Sequence, residues 1–173
     1  MNIRQETEAD FNAVCALIKA AFDTAADSEG NEQDYVDRIR AGGTYIPELA
    51  LVAEQDGVII GHVMLAGTTV DDGEQLHNHL VLAILSVAEA HRRLGVGAAL
   101  LYVALDRARR RGRKAVFLAG DRHYYSRFGF VPVSRFDIRH KKELPAEMLD
   151  NIMARELELG ALDDISGMVE FEL

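Results

Sequence analysis

The sequence predicts a mixed α+β fold, a mostly antiparallel sheet with one parallel strand pair, and three stretches predict it. Residues 49–54 and 58–66 are apolar, β-rich runs joined by Gln55-Asp56-Gly57, a tight-turn signal for an antiparallel hairpin. Residues 80–87 form a nearly continuous apolar run of strand length. After it Val96, Ala99, Leu100, Val103 and Ala104 repeat at helical spacing, so the period changes from strand to helix across the intervening loop. Residues 114–119 then return as a strand, and strand, crossover helix, strand is the unit that gives parallel pairing.

In chain order, Ile3 lies in a short first strand, and Thr7-Glu8-Ala9-Asp10 has the form of a capping box with Asp in place of Glu. It opens a helix over 11–22, where Phe11, Val14, Cys15, Ile18 and Phe22 follow the i, i+3, i+4, i+7 rule. That stripe predicts Cys15 as a core thiol. Residues 23–31 are polar and Gly-punctuated. A second helix is expected over 32–41, with Tyr35, Val36 and Ile39 inward and Gly42-Gly43 as its stop. Residues 68–75 make a polar connection to a strand over 77–87, and a helix runs from Val96 to about Arg111 with Gly112 as its stop. The cations of Arg109-Arg110-Arg111-Gly112-Arg113-Lys114 complement the helix dipole there, with attraction of ligand phosphates as the lesser alternative. The tail is expected to hold strands over 131–138, 152–159 and 167–171 and a short helix over 145–150. From 147 to 173 eight acidic residues face Arg155 alone, which reads as a solvated face.

At 173 residues the chain is expected to form a single domain, 1–173, with a sizeable core. Arg4, Glu6, Glu8 and Asp10 argue against a secretory h-region, and no apolar run approaches the ~20 residues of a membrane span. One cysteine cannot form an intramolecular disulfide, so the expectation is a soluble, cytoplasmic protein with no membrane partner. The net charge of -9 argues against a nucleic-acid partner, because phosphate neutralisation needs a basic surface.

The chemistry concentrates in the loop that delivers the third helix. Gly95 and Gly97 have no side chains to hold a ligand away, so backbone N–H groups at this helix start can close on an anion such as a pyrophosphate, with Arg92 and Arg93 beside them as cations. Arg92, Gly95 and Gly97 fill the Q/R-x-x-G-x-G/A signature, and Tyr124-Tyr125-Ser126-Arg127-Phe128-Gly129-Phe130 fills a Y-x-x-x-G-F segment after the next strand. With these two segments the chain resembles the GNAT superfamily of acyl-CoA N-acyltransferases, most strongly over 82–131, and its last forty or so residues resemble the YhbS-like branch.

The resemblance implies a central twisted sheet with helices on both faces and a parallel strand pair splayed around acyl-CoA. It implies acetyl-CoA as cosubstrate and a small-molecule or peptide amine as acceptor, and leaves a homodimer open. Backbone groups of Leu85, Ser86 and Val87 would bind the thioester carbonyl and pantetheine arm. Arg92, Arg93, Leu94, Gly95, Val96, Gly97 and Ala98 would hold the pyrophosphate, and Tyr125 would give its proton to the departing thiolate. The family's strand carboxylate does not carry over, since Val81 stands at its position. Neither does its Asn-x-x-Ala, because Leu118 and Asp121 occupy those places.

Other constellations are weaker. Gly95-Val96-Gly97 opens a helix after a strand as a dinucleotide loop does, but Leu100 replaces the third glycine and seven residues separate Val87 from Gly95. His77 and His79 share a strand face without a third ligand and are expected at a partly exposed strand end, with a general base or a metal pair as lesser readings. His62 reads as a satisfied structural imidazole, and Glu89 and His91 as loop surface. Tyr125 beside Phe128 and Phe130 could simply pack, and an acyl-CoA-binding module without turnover is the competing function.

Overall fold

The structure, a computed structural model, describes residues 1–23 and 30–173, so the core of the polar 23–31 stretch lies outside the described residues. The chain divides into two compact units, Met1–Ala66 with Ala83–Ala108, and Gly67–Leu82 with Arg109–Leu173. Two long strands, β3 (Val58–Asp71) and β4 (Leu76–Val87), run through both.

In the first unit, β1 (Asn2–Gln5) pairs antiparallel with β2 (Ala50–Gln55), and β2 pairs antiparallel with β3. Asp56 and Gly57 at the hairpin tip both have positive φ (52° and 77°), the turn that matches strand twist and the one the sequence predicts. Asp10 accepts hydrogen bonds from the Thr7 N–H and hydroxyl at 2.8 Å, so the expected box forms, opening a 3-10 turn that leads into α1 (Phe11–Phe22). The buried stripe of α1 is Val14, Leu17, Ile18 and Ala21, rotated from the expected one. Cys15 is therefore half-buried rather than a core thiol, with Asp37 and Arg40 of α2 (Glu32–Ala41) near its sulfur.

Helices cover both faces of β3. On one, a Cβ at Gly61 would stand 2.8 Å from Leu100 and 3.0 Å from Val96 of α3 (Val96–Arg110), so glycine permits this close approach. On the other, His62 meets Glu6 at 3.1 Å, and Glu6 accepts hydrogen bonds from Arg40 at 2.6 Å and Tyr45 at 2.9 Å. Gly112, at φ 71°, ends α3 as expected, and its N–H bonds Arg109 O.

In the second unit, β4 pairs parallel with β5 (Ala115–Ala119) at Leu80↔Val116 and Val81↔Phe117. Strand β5 pairs antiparallel with β8 (Ile152–Glu156), and β8 with the two-residue β6 (Val131–Pro132). The end of β3 pairs antiparallel with β9 (Gly167–Val169), which in turn lies parallel to β7 (Ile138–His140). The result is the predicted mixed α+β class, mostly antiparallel, with a second and very short parallel pair. The expected 131–138 strand is broken into β6, a 3-10 turn and β7. Pro132 removes a ladder donor there, and Asp137 adopts a left-handed φ of 54°. The expected short helix forms as a 3-10 segment, Ala146–Asn151. Phe117, Val70, Ile138, Ile152, Leu162 and Val169 form the core of this unit.

Candidate active site

In the first unit, β4 ends at Val87, and Ala88 N–H bonds Ile60 O at 2.9 Å, fixing the exit of the strand. A 3-10 turn follows (Glu89–His91), then Arg93 and Gly95 both turn left-handed, at φ 63° and 84°. An arginine in that region costs roughly 1–2 kcal/mol, so its surroundings must fix it. The first bond of α3 runs from Ala99 N–H to Gly95 O at 2.9 Å. The N–H groups of Val96, Gly97 and Ala98 therefore have no acceptor within the helix, the arrangement with which a helix start can receive an anion.

Alternate residues Ala83, Leu85 and Val87 of β4 are half-buried, whereas Ser86 is buried and its hydroxyl has no protein hydrogen-bond partner. Leu94 is 70% exposed at the tip of the loop. Arg92 is not free beside the loop: its Nη2 donates to Ala21 O at 2.6 Å and its Nε to Val87 O at 3.4 Å. Sequence reasoning missed those bonds, since nothing local links positions 21 and 92.

In the second unit, Tyr125 ends the single-turn α4 (Arg122–Tyr125), whose N-cap Asp121 accepts from His123 N–H at 2.8 Å. The turn closes at Gly129, at φ 77°. The ring of Tyr125 packs edge-on against Tyr124 (centroids 5.0 Å apart) and Phe130 (5.9 Å). A Cβ at Gly120 would lie 2.5 Å from Cε2 of that ring, so Gly120 is what lets the tyrosine sit here. Arg155, expected on a solvated face, instead reaches back to donate to Phe128 O at 2.7 Å and braces the same turn. Desolvation, then Tyr124 and Asp121, hold the Tyr125 phenol well above its ordinary value, so it stays protonated at any physiological pH.

His79 corrects the expectation of a partly exposed strand end, which holds for His77 alone. It is 3% exposed, edge-on to Phe117 with centroids 5.6 Å apart, and neither ring nitrogen has a protein hydrogen-bond partner. Desolvation, helped by His77 and Lys114, lowers its pKa to about 4, so it is neutral near pH 7. His77 is half-buried and meets Asp72 at 2.6 Å. Among the described residues no group of three or more His, Cys, Asp or Glu could hold a metal ion. In the Glu6 cluster, desolvation pushes the carboxyl up, but hydrogen bonds from His62 and Arg40 outweigh it and hold the pKa at about 2. His62 is fully buried with its pKa lowered by desolvation, and the expected satisfied imidazole holds at one nitrogen only: Nε2 meets Glu6, whereas Nδ1 has no protein hydrogen-bond partner.

Comparison with known proteins agrees with this geometry. The acetyltransferase (GNAT) family matches residues 12–130. The uncharacterized N-acetyltransferase YhbS of Escherichia coli K12 is 31% identical over 172 residues, covering 99% of this chain and 96% of that protein. The crystal structure of E. coli YhbS in complex with CoA superposes with a TM-score of 0.84 at 30% identity, over 99% of this chain and 89% of that one. A GNAT family acetyltransferase from Brucella melitensis in complex with acetyl-CoA gives 0.78 at 27% identity, over 99% and 95%. The chain thus belongs to the GNAT family of acetyltransferases.

Proposed function

We propose that this chain moves an acetyl group from acetyl-CoA to an amine by direct attack on the thioester. The observation that carries the reading is the start of α3, where left-handed Gly95 exposes three amides without helical acceptors. In this reading Arg92, Arg93, Leu94, Gly95, Val96, Gly97 and Ala98 cradle the pyrophosphate, mainly through backbone. The strand end at Leu85, Ser86 and Val87 offers backbone groups to the thioester and pantetheine. Both relatives with bound CoA or acetyl-CoA support that ligand.

The amine nitrogen bonds to the thioester carbon, the carbon–sulfur bond breaks, and the sulfur leaves with the electron pair. The amine's extra proton goes to water, since Val81 stands where a strand carboxylate would act. Tyr125 then hydrogen-bonds the thiolate. An ordinary phenol near pKa 10 protonates a thiolate whose acid lies near 8.5 only slightly uphill. The raised pKa of Tyr125 makes full transfer steeper, so it hydrogen-bonds the departing sulfur and hands over its proton only as the phenolate regains one from the water that took up the amine's, which leaves CoA as the thiol and Tyr125 protonated. A panel of small amines, amino acids and peptides, assayed for free CoA, tests the reading. Acetyl-CoA-dependent thiol release with at least one acceptor is expected. Stoichiometric binding without release would leave a binding module instead.

A further inference from the structure

We propose that the Arg92 side chain is a clamp that positions the acetyl-CoA loop by tying it to the end of α1, and is not itself a phosphate ligand. The inference rests on the acetyl-CoA reading of the α3 start. Its guanidinium spans two carbonyls from distant parts of the chain, Ala21 O at 2.6 Å and Val87 O at 3.4 Å. Ala21 belongs to the last turn of α1, whose final carbonyls have no intrahelical donor, and a cation there also meets the negative end of the helix dipole. Val87 is the last residue of β4. One planar fork thus joins a helix end, a strand end and the loop that leaves it.

The backbone next door shows why such a tie is needed. Arg92 is extended (φ -66°, ψ 150°), and Arg93 is forced left-handed directly after it. A strained non-glycine residue persists only where neighbouring contacts over-determine it. Ala88 N–H to Ile60 O and His91 N–H to Ala88 O anchor the front of the loop, and Ala99 N–H to Gly95 O anchors its rear. Arg92 supplies the anchor between them. Releasing it lets the turn at 93–95 relax and moves the amides of 96–98 off their common aim.

Charge and geometry separate a clamp from a ligand. Lysine keeps the charge but gathers its donors on one nitrogen and loses the rigid plane from which Nε and Nη2 reach separate carbonyls, so a clamp weakens in both Arg92→Lys and Arg92→Gln, whereas a direct phosphate contact largely survives in Arg92→Lys. Calorimetric titration of the full chain with acetyl-CoA, at several salt concentrations, compares wild type with the two variants. Both should bind about 3- to 10-fold more weakly, to a similar extent, with the salt dependence of the wild type. Hydrogen exchange should quicken in both 19–23 and 88–95. Wild-type affinity in Arg92→Lys with weak, salt-insensitive binding in Arg92→Gln would make the guanidinium a ligand and overturn the clamp. So would unchanged affinity in both. If the wild type binds no acetyl-CoA, the functional reading falls by itself and the exchange arm decides the clamp: unchanged protection at both segments overturns it.

Discussion

Between Val87 and Gly97 the chain presents backbone, and between Gly120 and Phe130 it presents a ring. The two regions use similar parts. Each rests on a glycine where a Cβ has no room, Gly61 under α3 and Gly120 under Tyr125, and each is braced by an arginine on a carbonyl, Arg92 on Ala21 and Arg155 on Phe128. In the proposed reading the loop's working groups are N–H groups, which every residue except proline carries. It should therefore tolerate side-chain changes that leave the backbone path alone. The Tyr125 turn has one hydroxyl to offer, and its sensitivity should concentrate there.

The largest effect expected is at that hydroxyl. Tyr125→Phe keeps the ring and its packing against Tyr124 and Phe130, so fold and acetyl-CoA affinity should hold while kcat falls by about 100-fold or more. A folded variant with wild-type kcat across the pH range would reduce Tyr125 to a packing residue. Gly120→Ala asks the same question through position instead of chemistry. Its methyl would stand 2.5 Å from the ring, so the ring must move, and about a 10-fold loss in kcat is expected with KM for acetyl-CoA nearly unchanged. A rise in KM alone would show that the ring serves binding.

Gly61→Ala is the matching change under the loop. The new methyl meets Leu100 at 2.8 Å, Val96 at 3.0 Å and the Ser86 carbonyl at 3.3 Å, one of them backbone. Overpacking there should destabilise the chain by about 1–3 kcal/mol and raise KM for acetyl-CoA a few-fold, with kcat spared. Denaturant midpoints and steady-state rates measure both. If kcat fell while KM stayed, the division between a binding backbone and a reacting ring would collapse.

How much of this was legible in the sequence follows from how local each feature is. The hairpin at Asp56-Gly57, the strand-to-helix change before α3 and its stop at Gly112 are set by neighbours in sequence, and all formed as read. The loop from Ala88 to Gly95, with its 3-10 turn and left-handed Gly95, is local too. What escaped reading is long-range: Arg92 on Ala21, Glu6 on His62, Arg155 on Phe128. Periodicity reports which side of an element is apolar, and it says nothing about which polar group waits there. It was also imprecise by part of a turn in α1, because Phe11 and Phe22 at the helix ends drew the stripe toward themselves and Cys15 with them, away from Leu17 and Ala21. In the tail the expected 131–138 strand was broken by Pro132 and the left-handed Asp137, one visible in sequence and the other not.

The smallest effect expected separates the regions by their buried histidines. His62, in the loop's unit, has Glu6 as partner, whereas His79, in the tyrosine's unit, has no protein partner and a pKa of about 4. A folded-state pKa below the ordinary 6.5 means that the unfolded chain takes up a proton first as pH falls. His79's contribution is therefore fully present above about pH 6.5 and is lost between 6.5 and 4. At pH 5 that loss is about 2 kcal/mol. His79→Phe keeps a flat ring beside Phe117 and removes the titrating group, so whatever it does to stability at pH 7, the fall from pH 7 to 5 should shrink by about that amount. His62 shifts in the same direction, so part of the slope should survive and then steepen below pH 4.5 as Glu6, held at about 2, begins to matter. Chemical denaturation of wild type and variant at the two pH values measures the difference. An unchanged slope would mean that His79 reaches water or another partner in solution and is not the unpaired imidazole described above. A slope erased entirely would mean that His62, despite its burial, does not contribute.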